Sequence, residues 1–311
     1  MDKNGFEFSF AWMFAVLVGA VIIFLAIYGV TRLINKEEYK TSTTTAKQIS
    51  IIFEPMTIGL EEGKKPVPIT LKEETKLYNR CSDEGAFGKQ QFSLSRKGFG
   101  GKWTDEGGKI SVTNKYVFSD EEEQGKVMNF FSLPFNMPWK VSEVIFLTSK
   151  DYCFKDAPEN IKELVEDLDL QNIKFENCSK SINVCFGYGN CDINVRGTCL
   201  DCEDEYEYGY ISKGKDKLTY SGNLIYGAIF SDKEVYECNI KRLMKRAIQQ
   251  ALIYKDEGDF LSINCGTSTP AGLLQIISSA KELKSSDGLL LVNSFSKQLD
   301  EENSAVKCNL W

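Results

Sequence analysis

The chain has 311 residues, a formal net charge of −7 and no histidine. An acidic balance, with no basic run interleaved with aromatics, argues against a polyanionic partner, so no nucleic acid is expected. Without histidine there is no Ser-His-Asp triad, no Cys-His nucleophile pair and no histidine zinc site, and the sequence assigns no catalytic residue, metal or cofactor.

Residues 1–7 form a short leader. Residues 8–31 (FSFAWMFAVLVGAVIIFLAIYGVT) are uncharged and apolar, long enough to cross a bilayer as one helix. No small-x-small cleavage site follows, so the run reads as a retained anchor whose partner is the lipid bilayer. Ala11, Ala15 and Gly19 recur every fourth residue. They would stack on one helix face as a packing stripe, either for a second copy or for another protein.

The leader itself carries a pattern. Lys3-Asn4-Gly5-Phe6, then the acidic Glu7, then a long apolar helix, resembles the start of type IV pilins and archaeal pilin-like proteins. The resemblance implies cleavage between Gly5 and Phe6 and a helix that packs into a filament core. It covers about the first 35 residues. It departs at Glu7, which stands second after the cut where the family has its acid fifth. The whole layout also resembles single-anchor membrane proteins of archaea, which implies no activity.

Two signals oppose each other on sidedness. Lys3 precedes the span while Arg32, Lys36 and Lys40 follow it, which by the positive-inside rule places the large domain in the cytoplasm. The ten cysteines all follow the span and point to disulfides in an oxidising space. So does the sequon Asn177-Cys178-Ser179. The cysteines carry more weight, because the flanking difference is two charges and Glu37 and Glu38 sit among them. The soluble part is therefore expected outside a single-pass membrane anchor.

After the span, residues 32–60 read as a helical stalk with Ala46, Ile49, Ile52 and Phe53 on one face. Residues 61–140 read as a small antiparallel β domain. Strands are expected at Thr75–Asn79, Gln91–Ser95 and Ile110–Phe118, separated by glycine-rich turns. Residues 141–311 read as a layered α/β domain with disulfides. Its expected strands are 144–148, 173–175, 182–186, 193–195, 224–230 and 260–263. Asp156-Ala-Pro-Glu159 suggests a capping box opening a helix. Ser231 to Glu234 suggests the start of a long helix reaching Tyr254. The segment after Asp287 fits strand or helix. The fold class is thus α+β with an α/β-like C-terminal part.

Four patterns invite chemistry. Cys199-Leu-Asp-Cys202 is a CxxC, but Asp201, Glu203, Asp204 and Glu205 would raise its thiol pKa values, against a redox role. Cys185, Cys191, Cys199 and Cys202 match no common zinc spacing. Cys185 and Cys191 flank the turn Gly187-Tyr-Gly-Asn190 at bridging range, so disulfides are the simpler reading for these four. The acidic loop 201–207 lacks calcium-loop spacing. Gly266, Thr267, Ser268 and Thr269 precede a helix and could offer amides to an anion, yet no Walker lysine is present. Finally, Lys241, Arg242, Lys245 and Arg246 form a basic patch expected to be a solvated helix face. Taken together, these features suggest a non-catalytic, structural or interaction protein of the cell surface, with a tethered small-ligand-binding ectodomain and a thiol-disulfide oxidoreductase using Cys199 and Cys202 as alternatives.

Overall fold

The structure is a computed structural model and describes residues 10–57, 68–176, 178–198, 206–265 and 271–311. Helix α1 (Phe10–Thr57) runs unbroken for 48 residues, about 72 Å at 1.5 Å per residue. Its N-terminal half is long and apolar enough to cross a membrane, and the most apolar window, with a mean hydropathy of 2.8, is wholly unburied. Beyond Arg32 the helix is not a free stalk. Ser42, Ala46 and Ile49 are buried, a spacing that gives one helical face. Ala46 and Ile49 pack on Leu77, Phe92, Leu94 and Ile145 of the first sheet. The side chains of Ile52 and Phe53 lie outside the described set.

That sheet holds β1 (Ile69–Ser82), β2 (Lys89–Arg96), β3 (Ile110–Val112), β4 (Val117–Phe118), β5 (Glu122–Asn136) and β6 (Lys140–Thr148), in the order β3-β2-β1-β5-β6-β4. It is antiparallel except at one edge, where β4 pairs parallel to β6. The run expected as one strand over 110–118 is therefore two. Ile110–Val112 pairs with β2 at one edge, and residues 113–116 carry the chain to the opposite edge. The boundary expected at 140/141 falls inside this sheet, because β6 forms a long hairpin with β5.

Strand alternation gives the sheet two buried faces. Ile145 and Leu147 face α1, while Val144 and Phe146 join the core shared with the C-terminal half. A strand buried on both sides reads as an uninterrupted apolar run, as 144–148 does.

The second sheet contains β7 (Tyr152–Lys155), β8 (Ile173–Lys174), β9 (Ile182–Phe186), β10 (Ile193–Gly197), β11 (Tyr208–Lys213) and β12 (Asp216–Ser221), ordered β12-β11-β10-β9-β7-β8. Pairings from β8 through β7 and β9 to β10 are parallel; β10, β11 and β12 pair antiparallel. Helix α2 (Glu159–Asp167) links β7 to β8 and buries Ile161 and Val165. Its start is not a capping box: Pro158 occupies the cap without a side-chain bond, and Asp156 sits at φ 55° in the turn before it.

Four helices follow: α3 (Leu224–Phe230), α4 (Lys233–Cys265), α5 (Gly272–Glu282) and α6 (Leu289–Ser304). Two expected strands are helical. All seven residues of α3 are buried because it is held between β6 and β12. Burial all round erases the helical period, and a short apolar run cannot then be told from a strand. Gly227 is required there, since a Cβ would stand 2.8 Å from the Phe118 ring. Residues 260–263 continue α4, with Phe260 67% exposed where a buried strand would hide it. The segment after Asp287 forms α6. The protein is therefore mixed α/β with two mixed sheets and an N-terminal apolar helix.

Candidate functional site

Buried ionisable groups concentrate where the two sheets meet. The turn before β5, the β6–β7 turn, the end of β11 and the α3–α4 joint build the cluster. Glu122 and Glu123 open β5 on opposite faces. Glu122 turns outward to Lys76 at 2.6 Å, and Glu123 turns inward with 0% of its surface exposed. The Ser149 backbone N–H and hydroxyl donate to Glu123 Oε2 at 2.8 and 2.5 Å, while Oε1 has no hydrogen-bond partner. Burial pushes the Glu123 carboxyl up to about 7, opposed by the bonds from Ser149.

Around it, Lys150 donates to the Asp120 carboxylate, whose pKa burial still holds above the usual range. Lys213 Nζ donates to the Ser231 carbonyl at 2.8 Å. Burial draws this amine down to about 8, with Asp120 and Asp232 opposing. Asp232 accepts from the Glu121 N–H at 2.8 Å.

A carboxyl and an amine that titrate near neutrality are what general acid–base chemistry uses. The geometry here works against that use. Glu123 has no exposed surface, so a substrate atom cannot reach its carboxyl as the chain is folded. Among the described residues no group of three or more cysteines and carboxylates is placed to hold a metal. The cluster is a polar joint between sheets.

The basic patch of α4 is a second joint. It was expected to face solvent; instead it binds the first sheet. Arg242 is 0% exposed and lies 4.8 Å over the Tyr116 ring. Its guanidinium donates to the carbonyls of Phe87 at 3.2 Å and Thr113 at 2.8 Å, and to Gln90 and Asn239 side chains at 3.2 and 2.8 Å. Burial without a facing carboxylate lowers its pKa to about 10. Lys245 donates to the carbonyls of Asp83 and Gly85, and Arg246 to that of Val141 at 2.7 Å. Lys241 sits 3.8 Å from Asp83. The disulfide Cys81–Cys238 ties β1 to α4 beside this network, with Cα atoms 6.0 Å apart.

Of the residues singled out from sequence, Cys185 and Cys191 are joined, as expected, around an exposed turn. Cys153–Cys178 is a third bond, Cys308 is disulfide-bonded too, and the described residues contain no free thiol. Cys199, Cys202, the acidic stretch 201–205 and the loop Gly266, Thr267, Ser268 and Thr269 lie outside the described residues. So do Gly5, Phe6 and Glu7. The helix that follows the loop, α5, starts at Gly272, but a helix and not a strand precedes it. Ala11, Ala15 and Gly19 lie on the unburied half of α1, and nothing stands within 4 Å of a Cβ built at Gly19.

The sequence reading missed Glu123 and placed Arg242 on a solvated face where it is in fact wholly buried. Glu123 hides in a run of four acids, Asp120 to Glu123, where only strand alternation singles it out. Arg242 had a signal: it falls on the same helical face as Cys238, two residues one turn apart. No family model, curated protein or solved structure matches the chain.

Proposed function

We propose that the protein is a non-catalytic, membrane-tethered component of the cell surface, pilin-like in its N-terminal build, which acts through contacts of its apolar helix with other protein chains. The division of α1 carries this reading. One half is docked on the first sheet through Ser42, Ala46 and Ile49; the other is apolar and bare. A bare apolar helix needs lipid, other helices, or both. The small residues Ala11, Ala15 and Gly19 leave room for a second helix to approach. Outward placement rests on the disulfides, which persist in oxidising spaces.

Two measurements test the reading. Intact cells are treated with a membrane-impermeant thiol reagent, with and without reductant. Labelling only after reduction, and without permeabilisation, is expected. Free thiols reached only after permeabilisation would reverse the sidedness. Full-length protein in several mild detergents is expected to assemble through the helix, and a uniformly monodisperse monomer counts against assembly. Sequencing the mature N-terminus addresses the pilin-like part: a chain beginning at Phe6 supports it, and one beginning at Met1 leaves an anchor alone.

A further inference from the structure

A surface crevice of about 490 Å³ lies where α1 leaves its apolar run, lined by Arg32, Leu33, Lys36 and Asp105. We infer that this crevice is a binding site for the phosphate head group of an anionic membrane lipid, with Arg32 and Lys36 on the phosphate and Asp105 accepting from a head-group hydroxyl. The inference rests on reading the N-terminal half of α1 as a membrane span.

Position is the first argument. The last apolar residues before Arg32 are those around Tyr28 and Val30, so Arg32 and Lys36 fall at the head-group layer. Helical side chains lean toward the N-terminus, which brings both basic groups down toward the membrane. Arg32 shows this directly. Its Nε donates to the Tyr28 hydroxyl at 3.1 Å, and its guanidinium carbon stands 5.4 Å from the Tyr28 ring centre. Tyr28 is half exposed, and Trp12 marks the other end of the apolar run. The two aromatics lie sixteen residues apart, about 24 Å along a helix, which spans most of a hydrocarbon core of about 30 Å and leaves one ring near each end of the apolar run.

The second argument is that the opposite wall is built and fixed. Asp105 comes from the segment between β2 and β3, which is clamped on α1. Gly108 N–H donates to Thr43 Oγ1 at 2.7 Å. Gly107 and Gly108 lie so close that a Cβ on either would stand 2.9 Å from the Ser42 or Thr43 side chain. Gly98 approaches Glu38 in the same way, with 3.2 Å between its built Cβ and Glu38 Oε1. On the sheet side Thr104 N–H donates to the Arg96 carbonyl at 2.8 Å and Gly107 N–H to that of Leu94 at 2.8 Å. Asp105 is held between these two anchor points. Flanking basic residues alone would attract anionic lipid diffusely. A carboxylate placed opposite them makes a pocket with two signs of charge, matched to a phosphate that carries a hydroxylated substituent.

The test uses the full chain in detergent, offered phosphatidylglycerol and phosphatidylcholine in equal amounts and read by native mass spectrometry. One phosphatidylglycerol per chain is expected to be retained in preference to phosphatidylcholine. The double variant R32Q/K36Q is expected to lower that preference by about thirtyfold, taking each basic residue at its usual worth near a membrane surface. D105N probes the opposite wall without touching the span. It is expected to keep retention of phosphatidic acid, which lacks the hydroxylated substituent, and to weaken that of phosphatidylglycerol. Circular dichroism and thermal melting confirm that each variant folds. Three outcomes overturn the site: no lipid preference, a preference indifferent to R32Q/K36Q, or D105N treating both lipids alike. Equal displacement of bound lipid by soluble glycerol phosphate overturns the head-group assignment. A full chain that stays soluble and monodisperse without detergent overturns the span reading itself, and the site with it.

Discussion

Glu123 puts the strongest demand on the fold. Its carboxyl titrates near 7 in the folded chain, against a usual 4.5. Between those values the folded state binds more protons than the unfolded state, so stability falls as pH rises through that window. The full cost, about 3 kcal/mol, is reached above pH 7. Urea unfolding at pH 5 and pH 8 should show this loss, and E123Q should flatten it. Lys213 acts oppositely. Its amine is drawn down to about 8 from 10.5, so the folded state binds fewer protons over that span and stability rises with pH. The two windows together predict a stability minimum near pH 7 to 8. A monotonic profile from pH 5 to 10 would contradict the full burial of Glu123 and the partial burial of Lys213.

Arg242 belongs to the same scale. Its donors are met by four oxygens, from Phe87 and Gln90 at the start of β2, Thr113 after β3 and Asn239 on its own helix, so removing it strands several buried acceptors. R242A should cost about 4 kcal/mol in chemical denaturation. R242K should recover little, because an ammonium cannot reproduce the guanidinium fork. Neither residue was legible as buried. A charged side chain is read as exposed by default, and only the partners supplied by distant segments make burial tolerable.

The elements differ in how well their sequence announces them. Strand β1 was read correctly because Thr75, Leu77 and Asn79 are buried while the residues between them are not; β2 was read from its β-rich composition, since Phe92 to Ser95 are all buried. Helix α3 and the end of α4 were misread for opposite reasons: α3 is buried all round, while Phe260, a residue of high strand propensity, is exposed on α4. The pair Cys185 and Cys191 was legible from its turn. Cys81 and Cys238, 157 residues apart, were not, because only the tertiary fold brings β1 to α4.

The separation sets their relative worth. In the chain-entropy account a loop of that length is worth about 5 kcal/mol and the short Cys185–Cys191 loop about 2 kcal/mol. Urea unfolding of the two alanine pairs, C81A/C238A and C185A/C191A, should rank them in that order. Docking of α1 has its own test. Gly107→Val would drive a side chain into Ser42 and the Thr43 backbone. Amide hydrogen exchange should then rise over residues 38–49 while β9 and β10 stay protected. Equal loss of protection in both regions would mean that α1 does not detach as a unit.

At the scale of the whole molecule, the N-terminal apolar helix was the plainest feature of the sequence and the arrangement behind it the least plain. A boundary drawn at 140/141 cuts a sheet, because a change of texture from polar strands to apolar ones marks the step from an edge to the interior of one layered body. The first sheet is the middle of a stack, with α1 on one face and α3 and α4 on the other. The charge cluster, Arg242 and the disulfide Cys81–Cys238 all bridge from it to the C-terminal half. Function is less legible than fold, since the side chains of Glu123 and Arg242 are both wholly buried. What remains for partners is the bare half of α1, the crevice at its end and the surface of the body.

Because α1 continues without a break from the apolar run into the docked segment, the body has no swivel where the apolar run ends. Its facing toward neighbours is geared to the helix. One extra residue inserted after Thr31 would turn everything beyond it by about 100° and lift it about 1.5 Å. The crevice, with Arg32 and Lys36 in it, would turn as one unit away from Tyr28, and under the proposed function the stripe of Ala11, Ala15 and Gly19 would be matched to a different side of the body. Under the proposed function, the phase of a single helix acts as the setting screw between the contacts of the apolar half and the surface that the body shows to its neighbours.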